Sequence, residues 1–399
     1  MEFGVRFTRF TILASALSLT LVPAAQADEP TRTTESYWLH MNSTPTTPEM
    51  IRTEAQRRSH VVLNAWEGDL AAQLKAANPK IQTFVYKDLS STRSYACEGG
   101  VDDADLPTGV GYCAADPSWF LLGPDGQRFE YDGYGGHWQM DVGNAAYQNA
   151  WADNVIASSR NVFDGVFMDN ALFACDTYHD GVCPKAYPTD EAMRAAYRSM
   201  LANTRQKFVD AGLKTVANLS NARLHDGAWD SYVEHLDGGF DEWWLTFGDK
   251  DLLSEYPQGF GRQLAEITAN EAKGKITWVQ AHHSGAEQPF RYAFASYLLA
   301  KGERAAISEI AETDRYDNAS PWRAEYDWDL GEPLGAHFPV DTNVFQRDFA
   351  CGTVVVNANR TGSAPITVRL KEKHINEKNA SVSFVALPGT TGTVLRKPC

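Results

Sequence analysis

The stretch Phe163-Asp164-Gly165-Val166-Phe167-Met168-Asp169-Asn170 carries a short apolar strand that stops abruptly on a carboxylate. Gly165 to Met168 shows no alternation of apolar and polar residues, so the strand wants apolar neighbours on both faces, as inside an α/β structure. Its C-terminal end then opens onto a site, because in a (β/α)8 barrel the functional groups stand where the βα loops converge. The plainer role for Asp169 and Asn170 is to cap the next turn. Asp164, ahead of Gly165, reads as a structural turn residue.

On either side of this stretch, short apolar runs alternate with amphipathic ones, and eight strands can be counted: 37–40, 61–65, 81–88, 165–170, 214–220, 238–244, 276–281 and 305–309. Helices are predicted over 48–58, 67–77, 144–159, 191–211, 261–272 and 289–300. Strands alternating with helices predict a parallel sheet, and eight such units in about 280 residues fit a closed (β/α)8 TIM barrel. A doubly wound open sheet is the rival, but no Gly-x-Gly-x-x-Gly follows the first strand.

The segment 89–143 is far longer than an ordinary βα loop. Its Pro124-Asp125-Gly126 turn lies between Trp119-Phe120-Leu121-Leu122 and Arg128-Phe129-Glu130-Tyr131, which predicts a hairpin. The insertion follows strand three at the rim where a ligand would bind, as a lid, a subsite wall or a structural cover. Beyond about residue 338 the helix pattern gives way to β-branched runs at 343–345, 352–357, 366–370 and 381–385. These predict a small antiparallel, β-sandwich-like domain over 338–399, behind a barrel domain over 28–337.

The first 27 residues read as a secretory signal peptide: Arg6 and Arg9, an apolar run over 10–25, then Ala25-Gln26-Ala27. The mature chain is expected to be exported and to start near Asp28. The formal charge of −15 then becomes −16, since Glu2, Arg6 and Arg9 leave together. A surface that acidic repels nucleic acid and anionic polymers. No later segment approaches the ~20 apolar residues of a membrane span. Neither nucleic acid nor a membrane is expected as a partner, and a monomer is. Six cysteines suit an oxidising compartment, and their order invites the pairs Cys97 with Cys113, Cys175 with Cys183 and Cys351 with Cys399, among fifteen possible pairings. Asn42 and Asn359 head Asn-x-Ser/Thr triplets.

On this strand count, polar residues converge on one rim: Asp88, Asp169 with Asn170, Asn218, Asp241 with Glu242, Gln280 with His282, and Glu309. Asp141 precedes the helix leading into strand four. Trp138, Trp243 and other tryptophans accompany them. Carboxylates among indole rings suit a sugar, whose CH faces stack on aromatics while its hydroxyls take the polar hydrogen bonds. Breaking a glycosidic bond needs one carboxylic acid to protonate the leaving oxygen and a second carboxylate to attack the anomeric carbon or activate water. Asp169 and Glu242, ending strands four and six, are the expected catalytic pair. Asp241 and Glu242 alternate, so one points into the barrel, and the general carboxylate argument favours Glu242. Asp88, Trp138, Asp141, Asn170, Asn218, Trp243, Gln280 and Glu309 are the expected substrate contacts. Adjacent His282 and His283 point to opposite sides of a strand and do not readily share an ion, so neither a metal nor another cofactor is expected.

The strand-four motif, preceded by Met140-Asp141-Val142-Gly143-Asn144, resembles that of TIM-barrel glycosidases in the glycoside hydrolase-like series, family fifteen above all. Those are similar to endo-α-1,4-polygalactosaminidases and, more distantly, to α-galactosidases and α-amylases. The resemblance implies that Asp169 is the nucleophile. It also implies that the acidic residue of Gly238-Gly239-Phe240-Asp241-Glu242-Trp243 is the proton donor, and that a small β domain follows the barrel. An amylase would place its acid after strand five, where this chain has Asn218 and Asn221. The expected function is a secreted glycoside hydrolase acting by retention on an α-linked polysaccharide. A non-catalytic carbohydrate-binding protein on a degenerate barrel and a metal-dependent hydrolase using His40 and His282 are the alternatives.

Overall fold

The computed structural model describes residues 32–41, 45–311, 316 and 319–399. The expected signal peptide and Asn42 lie outside them. Eight parallel strands follow one another in order around one sheet: β1 (Tyr37–Leu39), β2 (His60–Leu63), β3 (Gln82–Asp88), β4 (Gly165–Asp169), β5 (Lys214–Asn218), β6 (Gly238–Asp241), β7 (Ile276–His282) and β8 (Ala305–Ile310). A parallel bridge between Ser36 and Ile307, with Ser36 Oγ donating to the Ile307 carbonyl at 2.8 Å, brings β8 back to β1 and closes the barrel. Among the described residues no helix is long and apolar enough to cross a membrane.

The connecting helices are α1 (Pro48–Arg57), α2 (Gly68–Ala77), α3 (Ala145–Ser159), α4 (Asp190–Asp210), α5 (Ala228–Val233), α6 (Phe260–Ala272) and α7 (Glu287–Ala300). Their starts follow local chemistry. Thr47, Asn144 and Thr189 each accept a backbone N–H of the first turn, and Pro48 occupies the first helical position, where no N–H is needed. The two-turn α5 escapes sequence reading because six residues carry too little periodicity.

Strand alternation divides the apolar residues into two layers. Tyr37, Phe84, Phe167, Val216, Phe240 and Trp278 point inward and fill the lumen. Val85, Val166, Met168 and Ala217 point outward under the helices. The lumen is crowded enough to need Gly165, where a Cβ would stand 2.4 Å from the Phe84 ring. At the base of β4, Asp164 accepts both the Lys75 ammonium and the Thr83 N–H, a structural tie between strands.

The last six strands form one antiparallel sheet in the order β9 (Phe338–Asp341), β10 (Val344–Phe349), β11 (Gly352–Asn357), β14 (Thr391–Arg396), β12 (Ile366–Ile375), β13 (Ser381–Leu387). One face packs on α7, and Val354, Val356 and Val394 share a core with Tyr292 and Ala295. The approach is close: a Cβ on Gly392 would meet Ala295 at 2.5 Å. Arg347 donates to the Leu298 and Lys301 carbonyls, satisfying the C-terminal end of α7 from the neighbouring sheet.

The three expected disulfides are formed, with Cα separations of 5.7, 4.9 and 4.9 Å. The first two brace the loops after β3 and β4. In the insertion, Leu122 bridges Arg128 around the predicted turn, and strand 91–93 pairs with 137–139.

Candidate active site

The alternation that fills the lumen also aims the polar residues at its mouth. Two residues beyond each inward aromatic or valine stands a polar side chain: Tyr86 after Phe84, Asp169 after Phe167, Asn218 after Val216 and Glu242 after Phe240. All four line a cavity of about 450 Å³ at the C-terminal end of the barrel. Asp241 takes the opposite face, where Gln263 of α6 donates to it at 2.6 Å.

One amide group ties the two carboxylates together. Asn218 Nδ2 donates to Asp169 Oδ1 at 3.0 Å and to Glu242 Oε2 at 2.9 Å. The outer oxygens have phenol partners: Tyr86 donates to Asp169 Oδ2 at 2.7 Å, and Tyr316 to Glu242 Oε1 at 2.5 Å. The backbone under Glu242 is fixed as well. Its N–H donates to Ser220 Oγ at 3.0 Å, and its carbonyl accepts from His282 Nε2 at 2.7 Å.

Burial first, then the negative charges of Asp88 and Glu242, push the Asp169 carboxyl from its ordinary 3.8 up to about 7, against the pull of the Tyr86 and Asn218 hydrogen bonds. Asp88 behaves differently: burial alone would raise it, but the Arg93 guanidinium at 2.9 Å and donors from Ser90 and Ser91 hold it below the usual range. Burial lowers His282 to about 4, so its ring is neutral at pH 7 and carries the Nε2 proton given to the Glu242 carbonyl. His137, at the cavity wall, falls to about 4 through burial and then the nearby Arg93 charge.

Of the sequence-derived set, Asp169, Asn170, Asn218, Glu242 and Trp243 line the cavity, whereas Asp88, Trp138, Asp141, Gln280 and Glu309 do not. Asp88 is wholly buried and holds Asn170 Nδ2 at 2.8 Å, so it stands behind the cavity wall. Asp141 accepts from Tyr187 and from the Gly143 N–H, capping the turn ahead of α3. Trp138 lies in the insertion's strand pair beside Tyr112. Gln280 is buried next to His282. Glu309 is buried and engaged by Arg323 and Tyr326, each at 2.6 Å. Asp88, Gln280 and Glu309 do stand on barrel strands, but a strand end can present its polar group beneath or outside the lumen mouth.

Sequence reasoning missed most of the remaining lining: Tyr86, Arg93, Tyr131, Tyr134, His137, Tyr178 and Tyr316. Arg93, Tyr131, Tyr134 and His137 belong to the insertion, so the segment after β3 supplies part of the cavity wall. Tyr131 stacks on Tyr178 at 4.6 Å, and Tyr134 meets the same ring edge-on at 5.4 Å. The insertion's density of tyrosine at the rim was the available signal.

A barrel with a facing carboxylate pair and an aromatic wall has the parts of a glycosidase site. Residues 75–353 match the family described as hypothetical glycosyl hydrolase family 15. The chain belongs to that family. Membership makes it a glycoside hydrolase on a TIM barrel. Among solved structures it is similar to the glycoside hydrolase domain of PelA from Pseudomonas aeruginosa, at 14% identity over 72% of this chain and 97% of that one, TM-score 0.46. It is also similar to Aspergillus fumigatus Ega3 in complex with galactosamine, at 10% identity over 72% and 95%, TM-score 0.45. Eubacterium rectale Amy13B aligns over 92% of this chain and 96% of its own at 9% identity, TM-score 0.52, a likeness of fold. No curated protein matches.

Proposed function

We propose that this family 15 chain is an exported, retaining glycoside hydrolase of an α-linked polysaccharide, with Asp169 as nucleophile and Glu242 as general acid and base. The observation that carries the reading is the Asn218 amide shared by both carboxylates. With both facing oxygens within 3.0 Å of one nitrogen, they lie at most about 6 Å apart, nearer the ~5–5.5 Å separation of retaining enzymes than the ~6.5–9.5 Å that leaves room for an inverting water.

In the first half-reaction, an Asp169 oxygen bonds to the anomeric carbon as the glycosidic C–O bond breaks and Glu242 gives its proton to the leaving oxygen. In the second, Glu242 takes a proton from water, whose oxygen bonds to the same carbon and releases Asp169. With its carboxyl raised to about 7, Asp169 gains its nucleophilic, ionised form as pH rises through that value. The reading requires Asp169 ionised while Glu242 holds a proton. Each carboxyl takes two donors, Tyr86 and Asn218 on Asp169 and Tyr316 and Asn218 on Glu242. The aromatic wall offers stacking faces, and the net acidic chain disfavours uronic-acid polymers. Export is supported by the Arg-then-apolar N-terminus and by three disulfides.

The test is reducing-end release from α- and β-linked polysaccharides, galactosaminoglycans included, by wild type, Asp169→Asn and Glu242→Gln. Turnover that falls by several orders of magnitude in both variants, with the product anomer retained, is expected. Turnover surviving Asp169→Asn sinks the assignment, and glycan binding without turnover makes the chain a carbohydrate-binding protein instead. Sequencing the N-terminus of exported protein should return Asp28.

A further inference from the structure

Trp243 belongs to two concave surfaces at once. One side of the residue lines the carboxylate cavity, and it also borders an open groove of about 470 Å³ lined by Asn221, Arg223, Phe247, Asp251 and Tyr256. Both volumes lie in the range of ligand sites. The groove continues the same rim, since Asn221 follows Asn218 past the end of β5 and Trp243 follows Glu242 past the end of β6.

Its chemistry repeats that of a sugar platform. Trp243 and Phe247 have ring centroids 6.3 Å apart with planes tilted by 32°, and Tyr256 stands 40% exposed. Arg223 holds Tyr256 in place, donating to its hydroxyl at 3.0 Å and to the Gln258 carbonyl at 2.8 Å. Arg223 and Asp251 carry one charge of each sign, so the groove offers donors and acceptors without net charge. Such a surface fits a neutral, hydroxyl-rich ring better than an anion or a cation.

We propose that this groove is a further sugar subsite, continuous with the cavity past Trp243, so that the enzyme favours long glycan chains over short ones. The inference rests on the glycosidase reading for its consequence, while the groove itself is tested by binding. A chain threading the cavity and the groove gains affinity with each ring that reaches Tyr256, and a short substrate confined to the cavity does not.

The experiment uses α-1,4-linked glucose and galactosamine oligomers of two to eight units. Binding is measured on Asp169→Asn and hydrolysis on the active enzyme, each with and without Tyr256→Ala and Tyr256→Phe. Affinity and kcat/KM are expected to rise with chain length, the gain to shrink about tenfold in Tyr256→Ala and persist in Tyr256→Phe, and the shortest oligomers to respond equally in all three. The same length dependence in Tyr256→Ala as in its parent, or no binding at any length, overturns the subsite. Length-dependent binding without hydrolysis by the active enzyme overturns the glycosidase reading alone.

Discussion

The indole of Trp243 lies flat on the imidazole of His282, with ring centroids 3.7 Å apart and planes within 10° of parallel. The same imidazole donates to the Glu242 carbonyl, so one side chain on β7 sets both the carboxylate and its aromatic neighbour. His282→Phe keeps the stack and loses the hydrogen bond. It is expected to lower kcat about fivefold, in line with one buried hydrogen bond of ~1 kcal/mol, with KM little changed. His282→Ala loses both contacts and should lower kcat further and raise KM. Equal effects of the two variants would show that the stack contributes nothing.

The Asp169 pKa predicts a pH profile. As a nucleophile Asp169 works ionised, so kcat/KM should rise with pH through about 7. Tyr86→Phe removes a donor that lowers this pKa, so the rising limb should move to higher pH. Activity at pH 6 should then fall more than activity at pH 8.5. A limb that moves to lower pH in Tyr86→Phe contradicts the role given to Asp169.

The same shift makes the site costly to the fold. A carboxyl whose folded pKa is raised binds its proton more tightly folded than unfolded, so the contribution of Asp169 to stability is fully present below about 3.8 and is lost as pH rises through about 7. Asp169→Asn has no carboxyl to titrate. Its melting temperature should exceed that of wild type by a few degrees at pH 8, with the difference vanishing near pH 4. The cost is on the order of a few kcal/mol at ~1.4 kcal/mol per pKa unit. Thermal melts of both proteins across that range check it.

The Cys351–Cys399 bridge spans 48 residues and contributes no side chain to the cavity. Chain-entropy arguments give a bridge of that span about 4 kcal/mol. Replacing both cysteines by serine should lower the denaturant midpoint while leaving kcat at 25 °C unchanged. A fall in kcat would show that the terminal sheet supports the barrel mouth through α7.

All eight barrel strands were legible, because each carries a short, largely apolar core, unbroken in Gly165-Val166-Phe167-Met168. That Glu242 and not Asp241 faces the cavity is visible only with the lumen in view, since period-two alternation needs one residue of known direction, and Phe240 supplies it. Glu309 and Asp88 stand off the cavity lining, each engaged by an arginine. Their strand ends were legible, but Arg323 and Arg93 lie past the barrel strands, where their pairing leaves no periodic pattern. Tyr131, Tyr134 and Tyr178 were hidden for a related reason: they sit in loops whose path follows no periodicity.

The carboxylate pair stands on the strands of the barrel, whereas Arg93, Tyr131, Tyr134 and His137 stand on an inserted segment clipped by Cys97–Cys113. In the proposed reading, the bond-breaking pair and this part of the cavity wall are therefore encoded in separate stretches of the gene. Exchanging that one cassette would then alter the wall of the cavity while leaving the proposed catalytic pair in place.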